Sequence, residues 1–456
     1  MVMLEDTIIS ISTPLGFGGL GIVRLSGNKS LSIAKKIFRP KKKSQIQPRR
    51  HVFGRLYHFE QKECFEEAYL TFFPRPNTYT RENMVEISCH GSPVILEEVV
   101  RLGIKAGARP ANPGEFTLRA YLNGRIDLLQ AEAVNDLIRA PSLKQARISF
   151  SQVEGKLSHK IASLRDKIVH ILAQIEASIE FPEEGLRISP KQTEEVLATL
   201  ILFLQQLIRS YDLGKSLSEG ITLAITGRAN VGKSTLFNAL LEKNRAIVTP
   251  YPGTTRDYLK ESIKINDAIF TLIDMAGIER PSHPIEKEGI RKGKRIAEKA
   301  DGLLLLLDSS LKENPEDFKL IEKYKDRKIL LLFNKMDLPQ KMDKVRVRAR
   351  TKKIPSLDIS ALKGTNLDKL KRMIVKSFLP TPEEGEDIIL HLRQKLILED
   401  IEACLIKGQC LLRDGYPEEI YVEEIRKTAP LIGQLTGEIR SDEIIDDIFR
   451  RFCVGK

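Results

Sequence analysis

The chain has 456 residues, of which 42% are apolar and 29% charged, and its formal net charge is +12. This length predicts about three domains, and the basic balance favours a partner rich in phosphates. The five cysteines form no Cys-x-x-Cys pair, which argues against a disulfide framework and a zinc site. The N-terminus lacks the features of a signal peptide, and the most apolar run, at 303–307, is too short to cross a membrane. We therefore expect a cytoplasmic protein with no membrane partner.

The first 122 residues alternate strand-like runs with glycine turns. Two runs that end in glycine have the composition of strands: "GLGIVRLSG" and "NMVEISCHG". Between residues 92 and 108, the segment "SPVILEEVVRLGIKAGA" has the pattern of a helix. We therefore predict an N-terminal α+β domain over residues 1–122.

The next segment, residues 123–219, is predicted to be helical. Its apolar residues recur at spacings of three and four, as one buried face of a long helix requires. This stripe comprises Leu157, Ile161, Leu164, Ile168, Ile171 and Ile175. We interpret it as the core of a helix bundle, not as a cofactor-binding face. Residues 380–456 return to the helical pattern, which predicts one discontinuous helical domain in two parts.

An α/β domain is predicted between the two helical parts, over residues 220–379. Helical segments separate four strand-like runs: "GITLAIT", "AIFTLID", "DGLLLLLD" and "RKILLLF". Alternation of this kind is typical of a parallel sheet covered by helices. The expected fold class is therefore a multidomain protein in which an α/β domain is inserted into a helical domain.

The stretch "GRANVGKST" follows the first of these four strands and opens a helix. It matches the pattern G-x-x-x-x-G-K-[ST] at Gly227, Gly232, Lys233 and Ser234. In this pattern, backbone N–H groups surround phosphates, the lysine reaches the β- and γ-phosphates, and the hydroxyl binds magnesium. The sequence therefore predicts a Ras-like domain with a P-loop.

Three later motifs complete the nucleotide site, and one of them indicates selection of guanine. In "DMAG", Asp274 can hold magnesium through water and Gly277 can sense the γ-phosphate. In "NKMD", Asp337 offers a carboxylate that can accept both guanine N–H donors, which adenine lacks. The stretch "SALKG", which begins at Ser360, would complete the base pocket. The order and spacing of the four motifs predict a GTPase.

Two details distinguish this site from that of Ras-like GTPases. Ras-like proteins place a water-orienting glutamine just after the glycine that corresponds to Gly277, but here Ile278 follows, which cannot orient water. Another group must therefore do so. In addition, Asn230 and the loop "AIVTPYPGTTRD" at 246–257 offer amide and carbonyl oxygens, which are the ligands that a monovalent cation prefers.

Together with the N-terminal strands and the terminal "FCVGK", these motifs make the chain resemble the MnmE (TrmE) family of tRNA-modifying GTPases over essentially its whole length. The resemblance implies a cytoplasmic homodimer that acts with the MnmG flavoprotein, with two chains of each. Together they would add a carboxymethylaminomethyl group to carbon 5 of the wobble uridine of certain tRNAs. The resemblance also implies potassium-dependent GTP hydrolysis, and 5-formyl- or 5,10-methylene-tetrahydrofolate as one-carbon donor.

The resemblance further assigns residues to the GTP site. It implies magnesium ligands at Ser234 and Thr255 and a catalytic glutamate at Glu286. It implies potassium ligands at Asn230, Thr249, Tyr251 and Thr254. The full set expected to bind GTP is Asn230, Val231, Gly232, Lys233, Ser234, Thr235, Thr249, Thr254, Thr255, Asp274, Met275, Ala276, Gly277, Asn334, Lys335, Asp337, Ser360 and Ala361. By its chemistry alone, Glu286 is better interpreted as an exposed acid at a helix start, where it favours the helix dipole.

In the N-terminal domain, the resemblance implies a tetrahydrofolate-binding and dimerisation domain with ligand contacts at Arg24, Glu86, Arg125 and the C-terminal Lys456. A carboxylate suits the amide edge of a pterin, and cations suit its glutamate tail. Cys453 would face the reacting carbon or uridine, as a nucleophile or as a positioning group. By spacing alone, the first three are surface ion pairs, and Cys453 is a small residue packed at the end of the last helix.

Two basic runs, at 40–50 and 344–353, are interpreted as solvated loops. The first could also touch the backbone of tRNA. The second has no interleaved aromatic residues and so offers no platform on which bases could stack.

The main alternative to a tRNA-modifying enzyme is a ribosome-assembly GTPase, which would share the G-domain motifs and the basic charge but perform no covalent chemistry. The folate-type N-terminal domain and the terminal cysteine favour the enzyme. A third possibility is a scaffold protein with a degenerate nucleotide site. The complete set of phosphate and base motifs argues against it.

Overall fold

The computed structural model describes most of the chain. The described residues are 6–41, 45–58, 63–181, 189–218, 220–241, 260–266, 268–275, 299–351, 354–379, 388–439 and 442–455. The chain divides into two compact units. Unit 1 comprises Met1–Asn135, Ser151–His170 and Arg426–Lys456, and unit 2 comprises Asp136–Phe150 and Ile171–Ile425. The division into four segments expected from the sequence stays a prediction.

Unit 1 contains a seven-stranded sheet. Its strands are β1 (Ile8–Ile11), β2 (Gly18–Ser26), β3 (Phe38–Pro40), β4 (Val52–His58), β5 (Glu63–Phe73), β6 (Met84–Gly91) and β7 (Arg109–Pro110). They lie in the order β3-β4-β5-β6-β2-β1-β7, and every neighbouring pair is antiparallel except β1 and β7. The two strands predicted from the sequence are confirmed as β2 and β6.

Helices cover one face of this sheet. They are α1 (Ser30–Ile37) and α2 (Pro93–Lys105), and α3 (Glu115–Leu122) follows β7. The helix predicted over 92–108 is confirmed as α2. The side chains that pack between the sheet and the first two helices include Val23, Leu25, Leu70, Val85, Ile87, Ile33, Ile37, Leu96 and Val99. Since side chains alternate along a strand, the residues between these apolar positions face the opposite side of the sheet.

Four helices follow in chain order. They are α4 (Leu128–Arg139), α5 (Leu143–Val153), α6 (Lys156–Glu180) and α7 (Pro190–Ser218). A capping box starts α4: the Asp127 carboxylate accepts a hydrogen bond from the Gln130 N–H at 2.8 Å, and the Gln130 side chain accepts one from the Asp127 N–H at 3.0 Å. The predicted apolar stripe is confirmed, because its six residues lie in α6 and are at most 3% exposed.

Unit 2 contains a six-stranded sheet of the α/β type. Its strands are β8 (Ile221–Thr226), β9 (Lys260–Ile265), β10 (Ala268–Asp274), β11 (Gly302–Asp308), β12 (Ile329–Asn334) and β13 (Ser356–Asp358), and its helices are α8 (Lys233–Leu241), α9 (Pro315–Lys323), α10 (Lys344–Arg350) and α11 (Leu367–Phe378). The strand order is β13-β12-β11-β8-β10-β9. The predicted parallel sheet is confirmed, apart from β9, which pairs with β10 in antiparallel orientation.

One prediction for this unit is wrong: the second basic run is not a loop. Its residues 344–350 form α10, and the Asp343 carboxylate caps the helix by accepting a hydrogen bond from the Arg346 N–H at 3.0 Å. Val347 is buried, and the guanidinium of Arg348 lies 5.1 Å from the centre of the Phe333 ring. The cap and these tertiary contacts stabilise a helix that the charge run alone does not indicate.

The chain ends in four more helices: α12 (Leu392–Arg413), α13 (Glu418–Arg426), α14 (Thr428–Thr436) and α15 (Asp442–Arg450). In unit 2, α7 and α12 run antiparallel. Gln205 donates to Glu402 at 2.8 Å, and Arg413 donates to Glu194 at 2.6 Å. Among the described helices, α7 alone has the length and apolar composition to cross a membrane, and 44% of its most apolar window is buried inside the protein.

A buried ion cluster joins α3 to the sheet of unit 1. Arg119 is fully buried and donates hydrogen bonds to Asp6, to Glu115 at 3.0 Å and to Glu82 at 3.1 Å. Arg109 donates to Glu115 at 2.6 Å. Burial alone would raise the pKa of Asp6 and of Glu115, but the hydrogen bonds from the two arginines outweigh burial and hold both pKa values below their usual 3.8 and 4.5.

We expect low pH to destabilise unit 1 through this cluster. Because the pKa values of Asp6 and Glu115 are lower in the folded chain than in the unfolded chain, their stabilisation is complete above about pH 4.5 and is lost as the pH falls through the folded-state values. Glu115→Gln should lower the free energy of unfolding by about 3 kcal/mol, since it removes the most deeply buried of the carboxylates that compensate the charge of Arg119. Differential scanning calorimetry of the full chain at a series of pH values would measure both effects.

Asp447→Asn is the matched control for Glu115→Gln. Its partner is Arg451, at 2.6 Å, and both side chains are exposed. Surface pairs of this kind contribute about 0–1 kcal/mol, so this variant should melt close to the wild type. Equal melting temperatures for the two variants at neutral pH, or a wild-type transition that does not move in acid, would contradict the prediction.

Candidate functional site

The predicted phosphate loop lies between the end of β8 and the start of α8 in unit 2. Gly232 has a φ of +99°, and a Cβ there would lie 2.3 Å from Nδ2 of Asn334. Only glycine therefore fits at this position. Asn230 has a φ of +62°, a conformation in which asparagine is among the few common side chains. The loop thus turns its backbone toward the N-terminus of α8, where anions are favoured.

The side chains predicted to meet phosphate and magnesium start in or beside this loop. Lys233 is 5% exposed, and its Nζ donates to the carbonyl oxygens of Gly227 at 2.6 Å and Arg228 at 3.0 Å. Ser234 Oγ donates to Oδ2 of Asp274 at 2.6 Å. Since β8 and β10 are parallel neighbours, their carboxyl ends bring the P-loop and Asp274 to one edge of the sheet. A hydroxyl beside a carboxylate is an oxygen donor set that fits magnesium.

The remaining phosphate-site residues occupy the same edge. Thr235 is exposed on the first turn of α8, and Met275 is buried directly after β10. Thus the described part of the P-loop and of "DMAG" converges as the motifs predict.

The two base motifs are joined to the P-loop by Asn334. Its Nδ2 donates to the carbonyl oxygen of Val231 at 2.8 Å, and its Oδ1 accepts a hydrogen bond from the N–H of Ala361 at 2.9 Å. Ser360 Oγ donates to Oδ1 of Asp337 at 2.6 Å, and this hydrogen bond lowers the pKa of the Asp337 carboxyl group. Asp337 is therefore held ionised, as an acceptor for guanine N–H groups requires.

Sequence reasoning missed two carboxylates that support this site. Asp308, at the end of β11, accepts a hydrogen bond from Lys335 Nζ at 2.6 Å. Burial would raise the pKa of Asp308, but hydrogen bonds from Lys335 and Ser310 outweigh burial and lower it. Asp317 in α9 accepts two hydrogen bonds from the P-loop residue Arg228, at 2.7 and 3.1 Å. The signal for Asp308 was its place at the end of a buried strand; nothing in the sequence indicated the partner of Arg228.

Several predicted site residues lie outside the described residues. They are Thr249, Tyr251, Thr254, Thr255, Ala276, Gly277, Glu286 and Lys456. The described part of the site therefore includes one predicted potassium ligand, Asn230, and one predicted magnesium ligand, Ser234. Across the described ranges, no group of three or more histidine, cysteine, aspartate or glutamate side chains is placed to hold a metal ion.

Unit 1 contains a cavity of about 540 Å³ on the sheet face opposite α1 and α2, which we call the first cavity. Arg24 on β2 and Glu86 on β6 line it and are directly paired across the strands. Arg24 donates to Oε1 of Glu86 from Nε at 3.0 Å and from Nη2 at 2.7 Å. Arg125 also lines the cavity; its guanidinium lies 4.7 Å from the centre of the Tyr79 ring. The structure thus brings the three described residues of the expected folate site together.

Sequence reasoning missed the loop between β5 and β6 as a wall of the first cavity. This loop supplies Tyr79 and Arg81 to the lining. The Tyr79 hydroxyl lies 2.8 Å from Oγ1 of Thr117, and burial raises the pKa of Tyr79. Arg81 donates to the carbonyl oxygen of Asn123 at 3.0 Å. The turn-forming residues of this segment indicate a loop but carry no sign that it encloses a cavity.

The C-terminal residues lie against the N-terminal strand within unit 1. Gly455 has a φ of +102°, and a Cβ there would lie 2.1 Å from the carbonyl oxygen of Ile11 in β1. The carbonyl oxygen of Gly455 accepts a hydrogen bond from Ser12 Oγ at 3.2 Å. The close approach requires glycine at this position, so the terminal motif is held next to the strand that pairs with β2.

Cys453 is exposed, and so it does not pack as a core residue. Its carbonyl oxygen accepts a hydrogen bond from the Gly114 N–H at 3.4 Å, and the next residue, Val454, forms a bridge with Pro113. By contrast, Cys89 is buried, and burial raises the pKa of its thiol to about 11. The backbone around Cys453 is thus anchored while its thiol remains accessible.

Comparisons with known proteins cover both units. A family model described as the GTP-binding protein TrmE N-terminus matches residues 7–125, and the MnmE helical domain matches residues 128–453. The tRNA modification GTPase MnmE of Thermoanaerobacter sp. is 38% identical over 460 residues and is covered in full, as is this chain. The MnmE of Aquifex aeolicus is also 38% identical, with 99% of this chain and 100% of that protein covered.

Among solved structures, the G domain of the T. maritima FeoB iron transporter is 28% identical. The match covers 34% of this chain and 98% of that chain, with a TM-score of 0.27. Together the two family models span residues 7–125 and 128–453, and the two relatives match essentially the whole chain. On this evidence, the chain belongs to the MnmE (TrmE) family of tRNA modification GTPases and is a GTP hydrolase that acts in tRNA modification.

Proposed function

We propose that this chain is a potassium-dependent GTPase that acts with the MnmG flavoprotein to add a carboxymethylaminomethyl group to carbon 5 of the wobble uridine of certain tRNAs. The observation that carries the proposal is the first cavity, where Arg24, Glu86 and Arg125 meet in a chain that also has a GTP site. A ribosome-assembly GTPase has no need of such a cavity. We further infer a cytoplasmic homodimer that binds tRNA and assembles with two chains of MnmG.

Different residues of the GTP site bind the phosphates and the guanine base. The P-loop N–H groups and Lys233 hold the β- and γ-phosphates. Asp337 selects guanine through its two N–H donors, and Ser360 keeps that carboxylate in place. Ser234 and Thr255 would hold magnesium, which supplies positive charge at the β- and γ-phosphate oxygens when bound.

Two further residues are proposed to accelerate hydrolysis. Asn230 would hold potassium together with Thr249, Tyr251 and Thr254, and the bound ion would supply the charge that an arginine finger supplies in other GTPases. Glu286 would orient the attacking water in place of the glutamine that Ile278 replaces. Support for Asn230 is its P-loop position and its left-handed backbone, whereas Glu286 rests on the family resemblance.

We expect GTP turnover to be much faster in potassium than in sodium. Because arginine fingers are worth about 10³–10⁵ in rate, turnover should fall by about 10³ when sodium replaces potassium. Asn230→Ala should lose the response to potassium, and Glu286→Ala should bind GTP normally but turn over slowly. Phosphate release under saturating GTP, in matched potassium and sodium buffers, measures the turnover rates, and equilibrium binding of a non-hydrolysable GTP analogue measures the affinity of Glu286→Ala.

Thr199→Ala is a suitable control, since this residue is exposed on α7, outside the nucleotide site, and should keep the potassium response. Equal wild-type rates in the two cations would refute the role of potassium. A Glu286→Ala variant with near-normal turnover would return that residue to the role of an exposed acid at a helix start.

The first cavity fits a one-carbon folate by size and charge. Its volume of about 540 Å³ lies in the range of small-molecule sites. Glu86, held in place by Arg24, would accept hydrogen bonds from the amide edge of the pterin, and the cation Arg125 would attract the carboxylates of the glutamate tail. The folate, when bound, supplies a one-carbon unit; the residues of this chain bind and orient it.

We expect 5-formyltetrahydrofolate to bind the full-length chain with an affinity that depends on Glu86. In Glu86→Gln, the amide keeps an acceptor for Arg24 but loses the negative charge that favours the pterin N–H donors, so affinity should fall about tenfold to hundredfold. Isothermal titration calorimetry measures this loss. Glu67→Gln, on the neighbouring strand β5, should bind as the wild type does. Undiminished affinity in Glu86→Gln would remove that residue from the site.

We expect Cys453→Ser to abolish wobble-uridine modification while GTP hydrolysis continues. The substitution conserves size at an exposed position, so folding should not change, but it removes the thiolate that can act as a nucleophile. The measurement is mass analysis of tRNA nucleosides from cells that lack the wild-type protein and express the variant. Cys410→Ser, at another exposed cysteine, is the control. Normal accumulation of modified uridine in Cys453→Ser would leave the tail with a structural role only.

A further inference from the structure

A second cavity of about 810 Å³ opens in unit 1 beside the start of β4. Three groups of side chains line it: the cations Lys41 and Arg50, the amides Gln45 and Gln47, and the rings of His51 and Phe53. No acidic side chain is among the described residues of its lining. The combination of positive charge, amides and an aromatic ring differs from that of an ordinary apolar groove.

An aromatic surface continues from this cavity onto β5. Phe53 is paired with Tyr69 across the strands, and their ring centroids are 5.2 Å apart. Tyr69 is 49% exposed, and His51 lies edge-on to it with the centroids 6.4 Å apart. The two rings are tilted by 46°, so the exposed tyrosine offers the flat face on which a base can stack, and the phenylalanine lies at the side of that base.

Positive charge surrounds the aromatic surface. Lys41 Nζ lies 5.0 Å from the centre of the Phe53 ring, and Arg50 is exposed at the rim. One nearby acid, Glu67, lies 3.8 Å from Lys41 Nζ, but both side chains are about half exposed, so the pair neutralises little of the charge. The cavity is therefore complementary to a ligand that carries both a planar ring and a phosphate.

The second cavity shares a sheet face with the first. Cross-strand pairing places Arg24, Glu86 and Thr71 in one row, and paired residues lie on the same face. His51 Nδ1 lies 2.7 Å from Thr71 Oγ1, so a residue of the second cavity touches the end of this row. With strands about 4.8 Å apart, Thr71 lies about 10 Å from Arg24, which is within the span of one nucleotide or one pterin.

We propose that the second cavity binds a single-stranded RNA nucleotide, with its base against Phe53 and Tyr69 and a neighbouring phosphate on Arg50 and Lys41. The inference rests on the proposed function, which requires tRNA, and it adds the place on this chain that holds a nucleotide next to the one-carbon site. A second copy of the chain is the less suitable occupant, since an isologous contact would bring the same cations together. The amides of Gln45 and Gln47 can donate to and accept from a base edge.

The test uses the full-length chain and an RNA hairpin whose single-stranded loop contains 5-iodouridine. Fluorescence anisotropy at several salt concentrations gives the dissociation constant and its salt dependence. Tyr69→Ala should weaken binding about fivefold to hundredfold through lost stacking, with an unchanged salt slope. Arg50→Gln should weaken binding and reduce the slope of log K against log salt by about 0.7, the value for one lost phosphate contact on a single strand.

Matched controls separate this surface from general effects. Tyr416→Ala removes a tyrosine of similar exposure, 50%, from unit 2, and Arg346→Gln removes an exposed cation from α10. Both should bind the hairpin as the wild type does. Irradiation should crosslink 5-iodouridine to a peptide that contains Phe53 or Tyr69, and mass spectrometry would identify it.

Three outcomes would overturn the inference, and each is distinguishable. If the wild type binds the hairpin but Tyr69→Ala and Arg50→Gln bind equally well, the cavity is not the RNA site, while the proposed function stands. If the wild type does not bind the hairpin, the inference and the tRNA part of the proposed function both fail. If Tyr69→Ala becomes a monomer by sedimentation yet keeps its RNA affinity, the surface belongs to a second copy. Calorimetry with 5-formyltetrahydrofolate should be unchanged in Tyr69→Ala, because that residue does not line the first cavity.

Discussion

Unit 1 depends on the ion cluster around the buried guanidinium of Arg119. A cation withdrawn from water is tolerated only where carboxylates and hydrogen bonds replace its hydration. Here Asp6 precedes β1 and Glu82 lies in the loop before β6, whereas Glu115 lies one turn before Arg119 in α3, so one side chain joins its own helix to two distant segments. Glu82 also accepts a hydrogen bond from Ser26 of β2 at 2.7 Å. The loop that walls the first cavity is thus positioned by a charge that does not itself line the cavity.

The two units place their functional residues by different rules. In unit 2, parallel strands end at one edge, so Asp274, Asp308 and Asn334 lie at the edge that carries the P-loop because each is the last residue of its strand. In unit 1, a mainly antiparallel sheet has helices on one face, and the opposite face carries the row Arg24–Glu86–Thr71. The GTP site therefore depends on strand ends, whereas the cavities of unit 1 depend on cross-strand register.

This difference explains how much the sequence could predict. The P-loop is encoded within nine consecutive residues. The other residues of the GTP site follow continuous apolar runs, which predict buried strands. Arg24 and Glu86 could be proposed only through the family resemblance, because no local pattern states which strands pair. The sequence did not indicate that Tyr79 and Tyr69 lie beside cavities. The alternation of apolar and polar residues along a strand assigns a residue to a face of the sheet but does not show where a cavity lies. For the run at 344–353, the density of charge predicted a loop. The structure has the helix α10 there, because Asp343 caps it and Val347 is buried against the rest of the unit. The roles of Thr249, Thr255 and Glu286 remain predictions.

The C-terminal tail shows how an exposed thiol can be fixed in place. Phe452 is buried beside Phe449, with ring centroids 5.2 Å apart, and so anchors the chain just before Cys453. Gly455 anchors it just after, since its backbone approaches Ile11 more closely than any side chain would allow. The cost of joining segments 443 positions apart rises only slowly with length, so two short contacts can hold the tail. Cys453 lies between them with its side chain exposed. A frayed terminus could expose a thiol equally well but could not orient it, and orientation is what a nucleophile or a positioning group requires.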